Sequence, residues 1–272
     1  MIRLCLIATL SVLIANSAFA QQTSVDTLYT GLKKATSFTF GNDAIYIVEA
    51  GAHRVLKLGM DGKLIERYGK RGSGNYQFDN PVDIATTNGL KLFVSDKGNN
   101  RIQVFDKRWQ YLSSISGNDR FQTRSEIRPA FLGVNKLGDI YFYDEISRTL
   151  GKYNEDGAIL DQVSLPAEVK QVSGIQLVDG SILILDKKSE LIHRISENGF
   201  YESFYEAKGT HSFFYRDNEV YVAKNNAIEK LGPLTKKTIL SFEKKSEISD
   251  IYVVENKIYI LTSHALIRIL EE

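Results

Sequence analysis

Apolar residues along this chain fall in short runs, and turn-forming pairs break them at near-regular intervals. The clearest stretch is Gln77–Ile115. After a turn at Asp79-Asn80-Pro81 it gives four runs, Val82–Ala85, Leu90–Ser95, Ile102–Phe105 and Tyr111–Ile115. Runs this short, rich in Val, Ile, Phe and Tyr, predict a four-stranded antiparallel meander.

The same unit recurs. Its second strand, Leu92–Asp96, has counterparts at Ile45–Glu49, Ile140–Asp144, Ile182–Asp186, Val220–Lys224 and Ile258–Thr262. The last residues of these six blocks lie 47, 48, 42, 38 and 38 apart. A period near 40 residues with four strands per unit predicts a propeller blade. Hairpin pairs such as Asn42-Asp43, Asn88-Gly89, Asp179-Gly180 and Asp217-Asn218 precede the second strands, and most tolerate the positive φ of a two-residue turn. A second set, Asp61-Gly62, Asp156-Gly157 and Asn198-Gly199, separates third from fourth strands.

The expected fold is therefore all-β: a six-bladed propeller of four-stranded antiparallel blades. The blades fall at about 35–69, 81–116, 129–164, 172–205, 210–242 and 248–271. The sixth runs out of chain after three strands, and residues 25–32 are the spare segment able to complete it. Closure by that N-terminal strand removes an exposed edge.

The central unit resembles an NHL repeat. The resemblance rests on Gln77-Phe78-x-x-Pro81, on Leu92–Asp96, and on Gly98-Asn99-Asn100-Arg101-Ile102-Gln103-Val104-Phe105-Asp106. The first unit keeps part of the pattern (His53 to Leu58) and the third keeps Pro129 and Arg148; the others keep only the strand rhythm. The single tryptophan, Trp109, does not sit in a Trp-Asp ending, and the paired glycines of kelch blades are missing.

Composition adds a compartment. Arg3, the apolar run Leu4–Ile14 and Ala18-Phe19-Ala20 form the pattern of a secretory signal peptide over residues 1–20, leaving 21–272 as the propeller. The protein is expected to be exported, to a periplasm or beyond the cell, with no membrane insertion after processing. The chain carries 34 basic and 33 acidic residues, and losing Arg3 leaves the mature chain neutral. Neutrality gives no electrostatic case for nucleic acid, although some cytoplasmic NHL-like proteins bind RNA. The one cysteine, Cys5, lies in the leader, so the mature fold rests on core burial alone.

Candidate chemistry is sparse. Carboxylate and arginine flank the turn after three second strands: Glu49 with Arg54, Asp96 with Arg101, Asp144 with Arg148. They read as structural ion pairs, the use to which NHL-like propellers put equivalent residues, rather than as a ligand ring. Aligning first strands puts Ser37, Asp83, Phe131, Gly174, Ser212 and Asp250 at one level of the central channel, with His211 at its mouth. The paired carboxylates suit a cation or a basic ligand, but a calcium site needs at least about six oxygens. Hydrogen bonding to backbone amides is the preferred reading.

No cofactor is expected, with a channel-bound divalent cation left as the open alternative. Some NHL-like propellers are lyases that hold a metal with channel-facing histidines; of His53, His193, His211 and His264, only His211 falls near the channel. Gly69–Gly74 has no following helix to bind a phosphate and reads as a flexible loop. The most distinctive surface is a pair of long loops entering blades two and three. They carry Lys70, Arg71 and Tyr76 in one, and Arg120, Phe121, Arg124 and Arg128 in the other. Arginine interleaved with aromatic residues suits an acidic glycan, a peptide carboxylate or an acidic protein surface; a solvated rim neutralised by Asp119 and Glu126 is the competing reading. The expected function is non-catalytic binding of a protein, peptide or glycan by a monomer, with a metal-assisted lyase or hydrolase as the alternative.

Overall fold

The computed structural model describes residues 24–87, 90–117, 126–154, 157–232, 235–242 and 247–270. The expected leader over residues 1–20, the turn pair Asn88-Gly89, Asp156, and the loop residues Asp119, Arg120, Phe121 and Arg124 lie outside them.

Among the described residues the chain forms six four-stranded antiparallel sheets. Blade 1 holds β2 (Ala35–Phe40), β3 (Ala44–Glu49), β4 (Arg54–Gly59) and β5 (Leu64–Tyr68); blade 2 holds β6 (Pro81–Thr87), β7 (Lys91–Asp96), β8 (Arg101–Asp106) and β9 (Tyr111–Ser116). Blade 3 runs through β10 (Pro129–Val134), β11 (Ile140–Asp144), β12 (Thr149–Tyr153) and β13 (Ile159–Ser164). Blade 4 comprises β14 (Val172–Val178), β15 (Ser181–Asp186), β16 (Leu191–Ser196) and β17 (Tyr201–Glu206). Blade 5 has β18 (Thr210–Arg216), β19 (Glu219–Lys224), β20 (Ala227–Leu231) and β21 (Lys236–Ser241). In blade 6, β22 (Ile248–Val254), β23 (Lys257–Thr262) and β24 (Ala265–Leu270) are completed by β1 (Ser24–Thr30), which pairs antiparallel with β24 from Ser24 opposite Leu270 to Thr30 opposite Ala265.

The first strand of each blade touches the first strands of both neighbours, which closes the ring and leaves a channel at its axis. Burial follows from that arrangement. Second strands lie between neighbouring blades on both faces, so β3 and β15 are buried at every position, whereas β17 on the outer edge is almost wholly exposed. Alternate residues of one strand serve different interfaces. Ile45 and Ile47 pack toward blade 6, while Tyr46 and Val48 pack toward blade 2. Six apolar clusters result, one between each pair of adjacent blades. Trp109 wedges blade 2 against blade 1, its ring stacked 4.4 Å from Phe105 and 4.3 Å from Tyr68.

The chain enters each blade from one face of the disc, and that face also carries the turns between second and third strands. We call it the entry face. The opposite face carries the hairpins between first and second strands.

Candidate functional site

The channel is built on a register slip that repeats in every blade. In each pairing of first and second strands an extra residue is inserted just after the strand begins: Ala35 faces Glu49 but Ser37 faces Val48, and Thr210 faces Lys224 but Ser212 faces Ala223. The same slip occurs after Pro81, Pro129, Val172 and Ile248. A bulge re-aims the side chains beside it. Here it sets Ser37, Asp83, Phe131, Gly174, Ser212 and Asp250 on the wall of a channel of about 350 Å³, and makes His211 itself an inserted, unpaired position on that wall.

The two channel carboxylates are fully engaged. Asp83 accepts hydrogen bonds from the Ser37 hydroxyl of blade 1, from its neighbour Ile84 N at 2.8 Å and from Leu132 N of blade 3 at 2.7 Å. Asp250 accepts from the Ser212 hydroxyl of blade 5 at 2.9 Å, from Ile251 N at 2.9 Å and from Phe38 N of blade 1 at 3.2 Å. Two acids thereby stitch blades 5, 6, 1, 2 and 3 together. Between blades 4 and 5 the stitch is the Gln176 amide, which donates to Tyr215 O and accepts from Tyr215 N. Burial pushes the Asp83 carboxyl up to about 6 against the pull of these donors; burial, and then the charge of Asp83, push Asp250 up to about 7. The imidazole of His211 is held below its usual range by burial and by Lys187, with Glu247 opposing. Among the described residues, no group of three or more His, Cys, Asp or Glu is placed to hold a metal ion.

On the entry face the last residue of the second strand is a buried carboxylate in four successive blades: Glu49, Asp96, Asp144 and Asp186. Each accepts a backbone N–H from the segment about to enter its own blade. Lys33 N donates to Glu49, Asp79 N to Asp96, Arg128 N to Asp144, and Lys170 N and Gln171 N to Asp186. Arg54 donates to Glu49, and Arg101 to Asp96 at 2.9 Å.

The third expected pair does not form. Asp144 lies opposite Thr149 across the strands, as Asp96 lies opposite Arg101. Arg148 therefore stands one residue early, in the left-handed turn position (φ 58°) held by Asn100 in blade 2. Its guanidinium reaches Lys170 O at 3.0 Å, and Asp144 is satisfied instead by Ile146 N and the Ser147 hydroxyl. Asp186, assigned no partner from the sequence because no arginine follows it, has His193 beside it at 3.4 Å, from the strand position that Gln103 holds next to Asp96. The signal for it was the acidic end shared by the four second-strand blocks.

The stretch Gly69–Gly74 was expected to be flexible; the loop it opens, running on to Asp79, is instead fastened at many points. Arg101 donates to Gly74 O and Gln77 O, Asn99 to Gly72 O, and Gln103 to Gln77 O at 2.7 Å; Tyr76 N donates to Gln103. Phe78 is wholly buried, and a Cβ on Gly98 would meet Asp79 O at 2.5 Å. The motif residues are thus the latch of one entry loop. Lys70 and Arg71 project from it, the Arg71 side chain three-quarters exposed with Asp79 3.5 Å away, and Tyr76 sits 5.7 Å from the Phe105 ring. Arg128 is exposed on the same face. Of the remaining histidines, His53 accepts from Asn80 N and the Nδ1 of His264 lies 3.2 Å from Leu32 O.

Ring, channel and entry face define a six-bladed β-propeller. Residues 78–105 match the family model of the NHL repeat, so the chain is a propeller that carries an NHL repeat in its second blade. It is similar to the human (Homo sapiens) NHL repeat-containing protein 3, 35% identical over 98 residues, a match covering 30% of this chain and 28% of that protein. This chain thus spans little more than a quarter of that relative. Among solved structures it resembles an inactive variant of virginiamycin B lyase from Staphylococcus aureus (TM-score 0.65, 12% identity, 92% of this chain and 99% of that one). It also resembles a gluconolactonase from Xanthomonas campestris (0.68, 12%, 92% and 90%) and a protein of unknown function from Bacteroides thetaiotaomicron (0.69, 13%, 92% and 76%). At such identities the likeness is one of fold.

Proposed function

We propose that this propeller is an exported, non-catalytic binding scaffold whose entry-face loops engage an acidic protein, peptide or glycan. The observation that carries the reading is the latch: Asn99, Arg101 and Gln103 hold the 69–79 loop in one shape, so Lys70, Arg71 and Tyr76 are offered without the ordering cost that weakens flexible binding loops. Arg128 is exposed on the same face; Arg120, Phe121 and Arg124, which precede it in the chain and complete the expected basic and aromatic set, lie outside the described residues. Charge reversal at Arg71, Arg120, Arg124 and Arg128 together is expected to abolish binding in a panel of acidic peptides and glycans measured by calorimetry. Unchanged binding by that variant overturns the reading.

A second reading is a metal-assisted lyase or hydrolase at the channel mouth. It draws on His211 and the perturbed Asp83 and Asp250 lining one cavity, and on the fold shared with a virginiamycin B lyase and a gluconolactonase. Both oxygens of each carboxylate already accept hydrogen bonds from the blades, which favours the scaffold. The enzyme reading expects a divalent cation to co-purify and a chelator to lower Tm; the scaffold reading expects neither.

A further inference from the structure

The offset of Arg148 opens a site of its own. Between blades 3 and 4 on the entry face lies a pocket of about 390 Å³, within the range of small-ligand sites. Leu165, Pro166 and Val169 form an apolar wall, and Tyr143, Arg148 and Lys170 supply the polar groups. Among the described residues no carboxylate lines it. Neither Arg148 nor Lys170 makes an ion pair among the described residues: one guanidinium nitrogen donates to Lys170 O, and the Lys170 ammonium donates to Ala167 O. Tyr143 is only 7% exposed overall and lines the pocket. Two cations without an ion pair among the described residues and a tyrosine beside an apolar wall form a one-sided environment.

We propose that this pocket binds a carboxylate carrying a compact apolar body, either the C-terminal residue of a peptide or a free short-chain or aromatic acid. The remaining guanidinium donors of Arg148 match the two oxygens of a carboxylate. The Lys170 ammonium adds charge, the Tyr143 hydroxyl donates a third bond, and the apolar wall takes the ligand's body. The site does not use the loop residues of the charge-reversal test above, so either proposal can fail without the other.

The test titrates the full mature chain with 4-phenylbutyrate, with a leucine-ended tripeptide as free acid and as C-terminal amide, and with inorganic phosphate, followed by calorimetry. The expected result is saturable binding of at least one acid, with the amide and phosphate markedly weaker. Arg148→Gln and Lys170→Gln are each expected to weaken the acid about tenfold or more, the loss of a charge-assisted hydrogen bond. Tyr143→Phe preserves packing and is expected to cost a few-fold; it and Lys170→Gln keep the test valid if Arg148→Gln melts early. Binding of the tripeptide acid identifies a peptide terminus, and binding of phenylbutyrate alone identifies a free acid. The proposal is overturned if neither acid binds, if phosphate binds as well as the acids, or if binding survives the charge-removing variants unchanged.

Discussion

Arg101 and Arg148 each follow a carboxylate that ends a second strand, yet one position of offset gives them different partners. Arg101 lies straight across from Asp96 and joins Asn99, Gln103 and Asp79 N around a carboxylate with no exposure. Removing the arginine leaves a buried charge short of its counter-ion, a defect that costs about 3 kcal/mol even with other donors in place. Arg101→Ala is therefore expected to lower the urea midpoint sharply. Arg101→Lys is not a full rescue, because an ammonium cannot span Asp96, Gly74 O and Gln77 O as the planar fork does. Arg148→Ala removes one exposed hydrogen bond and is expected to stay within about 0.5 kcal/mol of the parent. Equal losses at the two arginines would contradict the offset.

At the scale of the element, β1 decides whether the disc is closed. Val25 packs against the cluster between blades 5 and 6, and Leu28 and Tyr29 against that between blades 6 and 1. Arg268 donates to Asp26 at 2.8 Å, and just beyond the strand Leu32 is buried with its N–H on His264 O. Deleting residues up to Leu32 bares the whole edge of β24 and opens two core clusters together. Such a truncation is expected to aggregate or to lose cooperative melting by circular dichroism, since an unpaired apolar edge templates association. A truncated chain that melts like its parent would show that three strands suffice for the sixth blade.

For the whole molecule, the ring is held as one body by contacts near its axis, and these titrate. Folding holds the Asp83 and Asp250 carboxyls above their ordinary range, so the folded state binds protons more tightly than the unfolded chain does. Their contribution to stability is present in full below about pH 4 and is lost as the pH rises through about 6 and 7. Because the charges interact, the two titrate as a pair. Tm is expected to fall from about pH 5 to about pH 8, and to fall less steeply when both are changed to Asn. The slope is the readout, since an amide nitrogen cannot accept the Phe38 N–H and the variant's absolute Tm shifts for that reason too. A slope unchanged in the double variant would assign the pH dependence elsewhere.

The amino-acid sequence by itself determined the blade count, the strand order and the closing segment. These depend on local facts: period-two apolar runs, turn pairs that tolerate positive φ, and a repeat near 40 residues. It also exposed the motif of blade 2, whose residues are consecutive in the chain and converge on one loop. Only the tertiary structure decided what the polar residues touch. The slip in each inner strand, the arginine displaced by one position and the placing of His193 beside Asp186 turn on register to a single residue, which hydrophobic pattern constrains only by face. Asp83 and Asp250 meet donors from blades distant in sequence, and the pocket beside Arg148 is lined from two blades. Such neighbourhoods are properties of ring closure and have no signature in any one stretch of chain.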